Sequence, residues 1–356
     1  MTRLAPSAAF VLASLLPGAC LLAGAVLGGI WAAAGLITMT LVVFLCDRAG
    51  VAARAGAGLA TGLPLLIVAL HFTALPAVLL AVGRPGHLSG AETALLLMGA
   101  GLFFGQVSNA CAHELIHRQG RAARRLGAAI YVSLLNGQHV SAHLLVHHVH
   151  AGTDKDPNSA PLGQSFWRFA ARASVTEFVA GWRAENARRR PGQLHPYAVW
   201  LGGAALALVL AWLLAGAAGI VALISMSAYA QLQLLLSDYL QHYGLRRRLV
   251  AGGRTEPMGP RHSWNAPQPW SAALMLNAPL HSDHHMHPGR PFDQLRLDGD
   301  RAPVLPRSVP VMGALALVPP LWRRVMDPRV RRLTGEMPHT PATGTRLPAS
   351  TETLKI

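Results

Sequence analysis

Residues 91–120 read AETALLLMGAGLFFGQVSNACAHELIHRQG. The first part, 91–112, is apolar and long enough to cross the hydrocarbon core of a bilayer as a helix, which takes about 20 residues. It runs directly into two histidines four positions apart. If the helix continues through them, His113 and His117 share a face, so both imidazoles can grip one cation. HELIH is also the HExxH pattern of zinc metalloproteases, with Glu114 as general base, and it is equally the end of a helix that happens to carry two surface histidines. The rest of the chain has to decide.

Of the 356 residues, 52% are hydrophobic and only 13% charged, a balance too apolar for an ordinary soluble domain. Further apolar runs of spanning length lie at 8–27, 29–46, 62–82, 197–215 and 217–236, which makes six with 91–112. The first two runs and the last two are joined by only one or two small residues, so each pair is expected to form a tight helical hairpin. With Arg3 on the cytoplasmic side, Arg48, Arg54, the block 113–196 and everything after 237 fall on that same side. Only the link around Arg84 and His87 then faces outward, which is the positive-inside arrangement. The formal charge of +15 is thereby a matter of topology and implies no nucleic-acid partner. The fold class expected is an all-α integral membrane protein, with six transmembrane helices and a histidine-rich cytoplasmic cap.

Residues 1–27 resemble a signal peptide and LPGAC a lipoprotein box. Both are discounted, because the proline before Gly18 fits such a box poorly and a second apolar run follows at once. Two shorter runs, 126–136 and 309–321, are expected to be interfacial or re-entrant. Residues 1–332 read as one membrane-embedded catalytic domain and 333–356, rich in Thr, Pro and Ser, as a disordered tail. Cys20, Cys46 and Cys111 sit in apolar runs without CxxC pairing, so neither a disulfide framework nor a thiolate metal site is available.

Histidine must then bind any metal. GQHVSAHLLVHHVH (137–150) carries His143, His147 and His148, with His139 and His150 beside them. On an α-helix His139, His143 and His147 line one face and His148 points about 100° away, so the doublet can serve two metals. His242 follows the last span in SDYLQHYGL, and HSDHHMHP (281–288) adds His281, His284 and His285, with His287 just beyond. Three ligands and a water suffice for a zinc protease. Nine motif histidines on one side of the membrane are what two metal ions require. A metal transporter would instead line a route across the bilayer. Imidazole suits Zn, Cu, Fe or Ni, so ligand type leaves the metal open. His139, His150, His262 and His287 are expected in supporting roles, and His71 as a satisfied histidine inside the bundle.

With HELIH, AHLLVHH followed by DPNSAPLGQSFWRF, DYLQHYGL, HSWNAP, HSDHHMHPGRPF and LVPPLWRRVMDPRV in this order, the chain resembles the membrane-bound alkane 1-monooxygenase family. That family includes xylene monooxygenase and, more remotely, membrane fatty-acid desaturases and hydroxylases. The resemblance implies two nonhaem irons held by His113, His117, His143, His147, His148, His242, His281, His284 and His285. It further implies O2 as co-substrate, rubredoxin with an NADH-dependent rubredoxin reductase as electron donor, and hydroxylation of the terminal methyl of an alkane or related hydrophobic chain. The setting implied is the bacterial inner membrane, with membrane lipid around the spans and both termini cytoplasmic. Fatty-acid desaturation, lipid hydroxylation and xylene-type methyl oxidation are the alternatives within this chemistry.

The chain departs from the family pattern at Ala142 and Val146, where the family has Glu and Gly, and at Asp238 and Gln241, where it has Asn and Glu. Two carboxylates that orient imidazoles are therefore missing, and Asp238, Asp283, Glu114, Asp154 and Asp156 are candidates to replace them. The basic segments RRLG from Arg124, 183–190 and 244–249 are read either as a surface for an acidic redox partner or as headgroup anchors.

Overall fold

A computed structural model describes residues 5–335. Arg3 and the tail from 336 onward lie outside the described residues. Among the described residues every regular element is a helix, and β-pairing is confined to two isolated bridges, Leu249 with Thr255 and Asn265 with Val304.

Four helices of spanning length come first: α1 (Pro6–Leu27), α2 (Gly29–Arg48), α3 (Leu59–Gly83) and α4 (Gly90–Ile116). The turn between α1 and α2 is made by Gly28 and Gly29, both with positive φ (63° and 58°), a conformation that glycine adopts without steric cost. Ser89 starts α4 with a reciprocal cap, its Oγ accepting from Glu92 N and its own N–H donating to Glu92 Oε2. α4 runs on through HELIH instead of stopping at 112.

α5 (Arg121–Ser133), α6 (138–150) and α7 (Phe166–Arg188) follow outside the spans. α8 (Pro196–His242) is 47 residues long and is the fifth helix of spanning composition. Six spans are expected from the sequence, and the difference lies here. α8 is broken at Ala215 and Gly216, whose φ angles are −148° and 58°, so the two predicted runs are two arms of one bent element. A Cβ on Gly219 would stand 2.2 Å from Ala211 O. In an unbroken helix those positions are about 12 Å apart, so the arms fold back on each other.

α9 (Pro269–Leu274), α10 (His281–Met286), α11 (Val309–Ala316) and α12 (Pro319–Thr334) complete the chain. α12 takes in the first two residues of the segment read as tail. Its Trp322, Met326 and Val330, four residues apart, are buried with Tyr239, Tyr243, Phe166 and Phe169 in a core separate from the membrane bundle. Each such side chain contributes about 1.5–3 kcal/mol where the alternative is water. The short run 126–136 lies largely in α5, and 309–321 forms α11 with the start of α12.

The segment carrying the last histidines is tied to the ends of the spans. Asp47 Oδ1 accepts from Trp270 N (2.8 Å) at the start of α9, Asp293 Oδ2 accepts from Gly58 N (3.0 Å), and Phe292 stacks on Phe10. These contacts close the cap over the helix ends.

Candidate metal centre

The nine motif histidines meet in two groups: His113, His117, His143, His148 and His284 in one, and His147, His242, His281 and His285 in the other. In each group one ring nitrogen per residue lies within 4.8 Å of all the others. The end of α4 supplies His113 and His117, α6 supplies His143, His147 and His148, the end of α8 supplies His242, and α10 the remaining three.

The grouping along α6 differs from the expectation that His143 and His147 share a face. Residues His143–His147 form a π-helical turn, in which His148 N–H bonds to His143 O, five residues back. The wider turn brings positions five apart into line, and His148 Nε2 sits 2.9 Å from His143 Nε2. His147 is thereby turned into the other group. α10 divides its doublet in the same way, His284 to the group of five and His285 to the group of four.

Within the groups, Nε2 atoms approach to 2.9–3.2 Å: His117 and His148 to His143, His284 to His148, and His242, His281 and His285 to one another. Imidazole nitrogens about 2.1 Å from one ion stand about 3.0 Å apart at right angles and about 3.4 Å apart in a tetrahedron. The spacing lets the rings of each group share one ion, and five and four imidazoles exceed the three that a zinc hydrolase uses. Glu114, the base of the protease reading, pairs instead with Arg118 and accepts from Phe292 N.

Burial is the main influence on the ring charges. It drives His117 down to about 3, with nearby His147 and His139 adding to the effect. It also holds His143, His148, His281, His284 and His285 well below the ordinary histidine value, with neighbouring histidines as the second cause. These rings are neutral at pH 7, the form that offers a lone pair to a metal. His147 differs. Burial pulls it down, but the Asp156 carboxylate and its hydrogen bond prevail and raise it to about 9. Its Nδ1 lies 3.0 Å from Asp156 Oδ2, while its Nε2 is buried and without a partner.

Asp156 is itself anchored by Ser159 Oγ (2.7 Å) and Asn158 N (3.1 Å). Burial pushes its carboxyl up, and the His147 charge and hydrogen bonds prevail to hold it below the usual carboxylate range. Of the five carboxylates named as replacements, Asp156 alone bonds a motif histidine among the described residues. Asp283 holds His287, Arg290 and Arg296 N. Asp154 pairs with Arg246, and Asp238 accepts from Asn158 (2.7 Å). Gln241 donates to Ala278 O (3.4 Å).

The four supporting histidines and His71 lie outside both groups. His139 bonds Glu177, His262 bonds Glu256, and His71 lies between Ser108 and Ser133. Two positioning residues escape the sequence reading. Glu177 fixes the ring beside His143, and it falls on the buried stripe of α7 with Phe166, Phe169, Ala170, Ala173 and Gly181, a polar residue at an apolar position. Asn265 exchanges bonds with Ser282 (Oδ1 from Ser282 N, 3.0 Å; Nδ2 to Ser282 Oγ, 2.7 Å) and so sets α10 in place. Arg247, within the basic segment 244–249, is engaged with Val149 O and Glu256 O.

A cavity of about 340 Å³ reaches His113, His143 and His281 from between α4 and the second arm of α8, with α2 and α11 completing its wall. Most of its surface is apolar. The spans around it make the chain a multi-pass membrane protein.

The Fatty acid desaturase family profile matches residues 89–315, a stretch that contains all nine histidines. Alkane 1-monooxygenase 1 of Pseudomonas aeruginosa is 34% identical over 260 residues, 69% of this chain and 68% of that protein. Alkane 1-monooxygenase of Ectopseudomonas oleovorans is 32% identical over 74% of this chain and 67% of its own length. The hydroxylase component of the xylene/toluene monooxygenase of Pseudomonas putida is 28% identical over 62% of this chain and 59% of its own. The matched segments thus span about 60–70% of these relatives. With a desaturase profile over more than half of the chain, and alkane monooxygenase relatives above 30% identity across two thirds of it, this protein belongs to the alkane 1-monooxygenase family of membrane oxidoreductases, within the wider fatty acid desaturase family.

Proposed function

We propose that the chain hydroxylates the terminal methyl of alkanes or related hydrophobic chains, using O2 and two nonhaem irons. In this reading His113, His117, His143, His148 and His284 hold one iron and His147, His242, His281 and His285 the other. Electrons come from rubredoxin and its NADH-dependent reductase, and the protein sits in the bacterial inner membrane with both termini cytoplasmic. The observation that carries the reading is the convergence of nine imidazoles, six of them buried and three half-buried, in groups of five and four at the end of a mainly apolar cavity.

When bound, the irons supply the activation of dioxygen and the one-electron chemistry that side chains cannot. The chain supplies the rest. The neutral rings present lone pairs without bringing negative charge. Asp156 holds the proton on His147 Nδ1, so the proton that a metal would displace is the one on Nε2. The cavity removes the substrate from water and guides its end to the histidines. Because an alkane partitions into lipid, a cavity among the spans meets substrate already concentrated there.

Metal analysis of the purified protein tests the site: about two irons per chain is expected, and a single zinc overturns it. Products formed from octane, hexadecane and xylene, in cells that also make rubredoxin and reductase, test the reaction. His113→Ala and His285→Ala should each abolish it. Failure to oxidise any hydrocarbon would count against methyl hydroxylation. The resemblance to the xylene/toluene enzyme keeps an alkylaromatic methyl as the second reading, and the xylene arm decides between them.

A further inference from the structure

α7 has three faces where a helix at a protein surface in water has two, one apolar and turned inward and one polar and turned outward. Its buried positions Phe166, Phe169, Ala173, Glu177 and Gly181 make the face turned to the rest of the protein. Trp167, Ala171, Val175, Val179 and Trp182 make a second. At 100° per residue they fall within about 120° of one another, and all five are exposed, Val175 to 65%. Arg168, Thr176 and Arg183, also exposed, occupy the sector beyond that stripe. The fold of the chain covers the first face and leaves the second, apolar one bare.

The position of α7 decides what meets it. Phe166 and Phe169, at its start, pack on Tyr239 near the end of the second arm of α8. Towards its other end, Tyr197 OH donates to Phe178 O (2.8 Å) and Trp182 stacks on His195, at the start of the first arm. Because the arms fold back on each other, these two arm ends stand at the same edge of the bundle, and α7 runs along that edge. The stripe is also continuous with the apolar surface of the spans. Trp167 Nε1 donates to Leu317 O (3.1 Å) just past α11, where Leu317, Val318 and Leu321 are exposed. Gly313 of α11 packs in turn on Leu236, within two turns of the end of α8. At the other end of the stripe, His195 leads into Val199 and Leu201, both exposed on the spanning arm.

We propose that α7 lies in the membrane leaflet on the side of the metal centre, with its apolar stripe among the acyl chains and Arg168 and Arg183 among the phosphates of anionic phospholipids. A tryptophan at each end of the stripe suits the layer where indole rings concentrate, and arginines beside an apolar helical face are the composition of an interfacial helix. An acidic protein partner for the basic segment 183–190 would account for the arginines and leave the stripe in water. With α7 in the leaflet, this flank of the histidine cap is closed to a soluble electron carrier.

The test reconstitutes the full-length protein in vesicles of phosphatidylcholine and phosphatidylglycerol. With Cys20, Cys46 and Cys111 changed to alanine, Val175→Cys and Thr176→Cys each carry a nitroxide. Relaxation of each label by oxygen, which dissolves in lipid, is compared with relaxation by a water-soluble nickel complex. We expect an oxygen-to-nickel ratio about tenfold higher at position 175 than at 176, since the apolar face of such a helix sinks about 5–10 Å into the headgroup and acyl boundary. A label at 175 as open to nickel as the one at 176 overturns the proposal. So does one shielded from both reagents, the result expected of a contact between protein copies through the stripe. A second measurement keeps the native cysteines. Arg168→Gln together with Arg183→Gln should lower the excess of phosphatidylglycerol over phosphatidylcholine among the lipids retained on purification by about two- to fivefold. Unchanged retention overturns the proposal as well.

Discussion

Asp156 Oδ2 lies 3.0 Å from His147 Nδ1, and Ser159 and the Asn158 amide hold the carboxylate from behind. A ring fixed in this way presents its other nitrogen in one orientation. Asp156→Asn keeps the size and removes the charge, and we expect it to weaken metal binding by about 10–100-fold, the usual effect of losing such a partner. Competitive titration of the purified protein should show the loss at one site of the two, that of the group of four.

The two groups should also empty independently. His242→Ala removes a member of the group of four and His117→Ala a member of the group of five. Each variant is expected to keep about one metal per chain, against about two expected of the native protein. Elemental analysis beside protein quantitation reads this directly. Loss of all metal from both variants would show a single coupled site.

Glu114 separates the protease-like reading of HELIH from the one adopted. Its carboxylate pairs with Arg118 and accepts from Phe292 N, so its work is to join α4 to the chain beyond α10. Glu114→Gln is expected to cost about 1–3 kcal/mol of stability, seen as a lower unfolding temperature, with metal content unchanged. A zinc protease would lose its general base and keep its stability.

How much of this was legible beforehand follows the range of the interaction concerned. Spans need only a window of apolar residues, so 8–27, 29–46 and 62–82 fall within α1, α2 and α3. The bend in α8 was legible because Gly216 sits between two runs. The histidines that assemble were legible as well, since spacing and shared sidedness are local facts. Their division was not, because it depends on backbone pitch at His143–His147, which no periodicity in the side chains announces. Asn265 and Ser282 stand 17 positions apart, on either side of α9, and nothing in either neighbourhood marks the pair. Glu177 is the instructive omission. It interrupts an otherwise apolar face of α7, a signal that was present and calls for a buried partner.

The crossing in α8 gives a stability prediction. A Cβ at Gly219 meets Ala211 O at 2.2 Å, whereas one at Gly202 meets nothing within 4 Å. Gly219→Val should cost about 1–3 kcal/mol through overpacking and reduce the yield of folded protein. Gly202→Val, on the same helix, should be tolerated. Size-exclusion profiles and thermal unfolding in detergent compare the two.

The wide turn at His143–His147 makes chain length itself part of the coordination chemistry. Because five residues occupy the turn, losing any one of them, even Val146, rotates every later position of α6 by most of a right angle. His148 would be carried off His143, and Asp156 would be drawn away from the ring it holds. Exchange of an exposed side chain such as Val149 leaves this geometry in place. Natural variants of this segment should therefore differ in residue type while keeping its length.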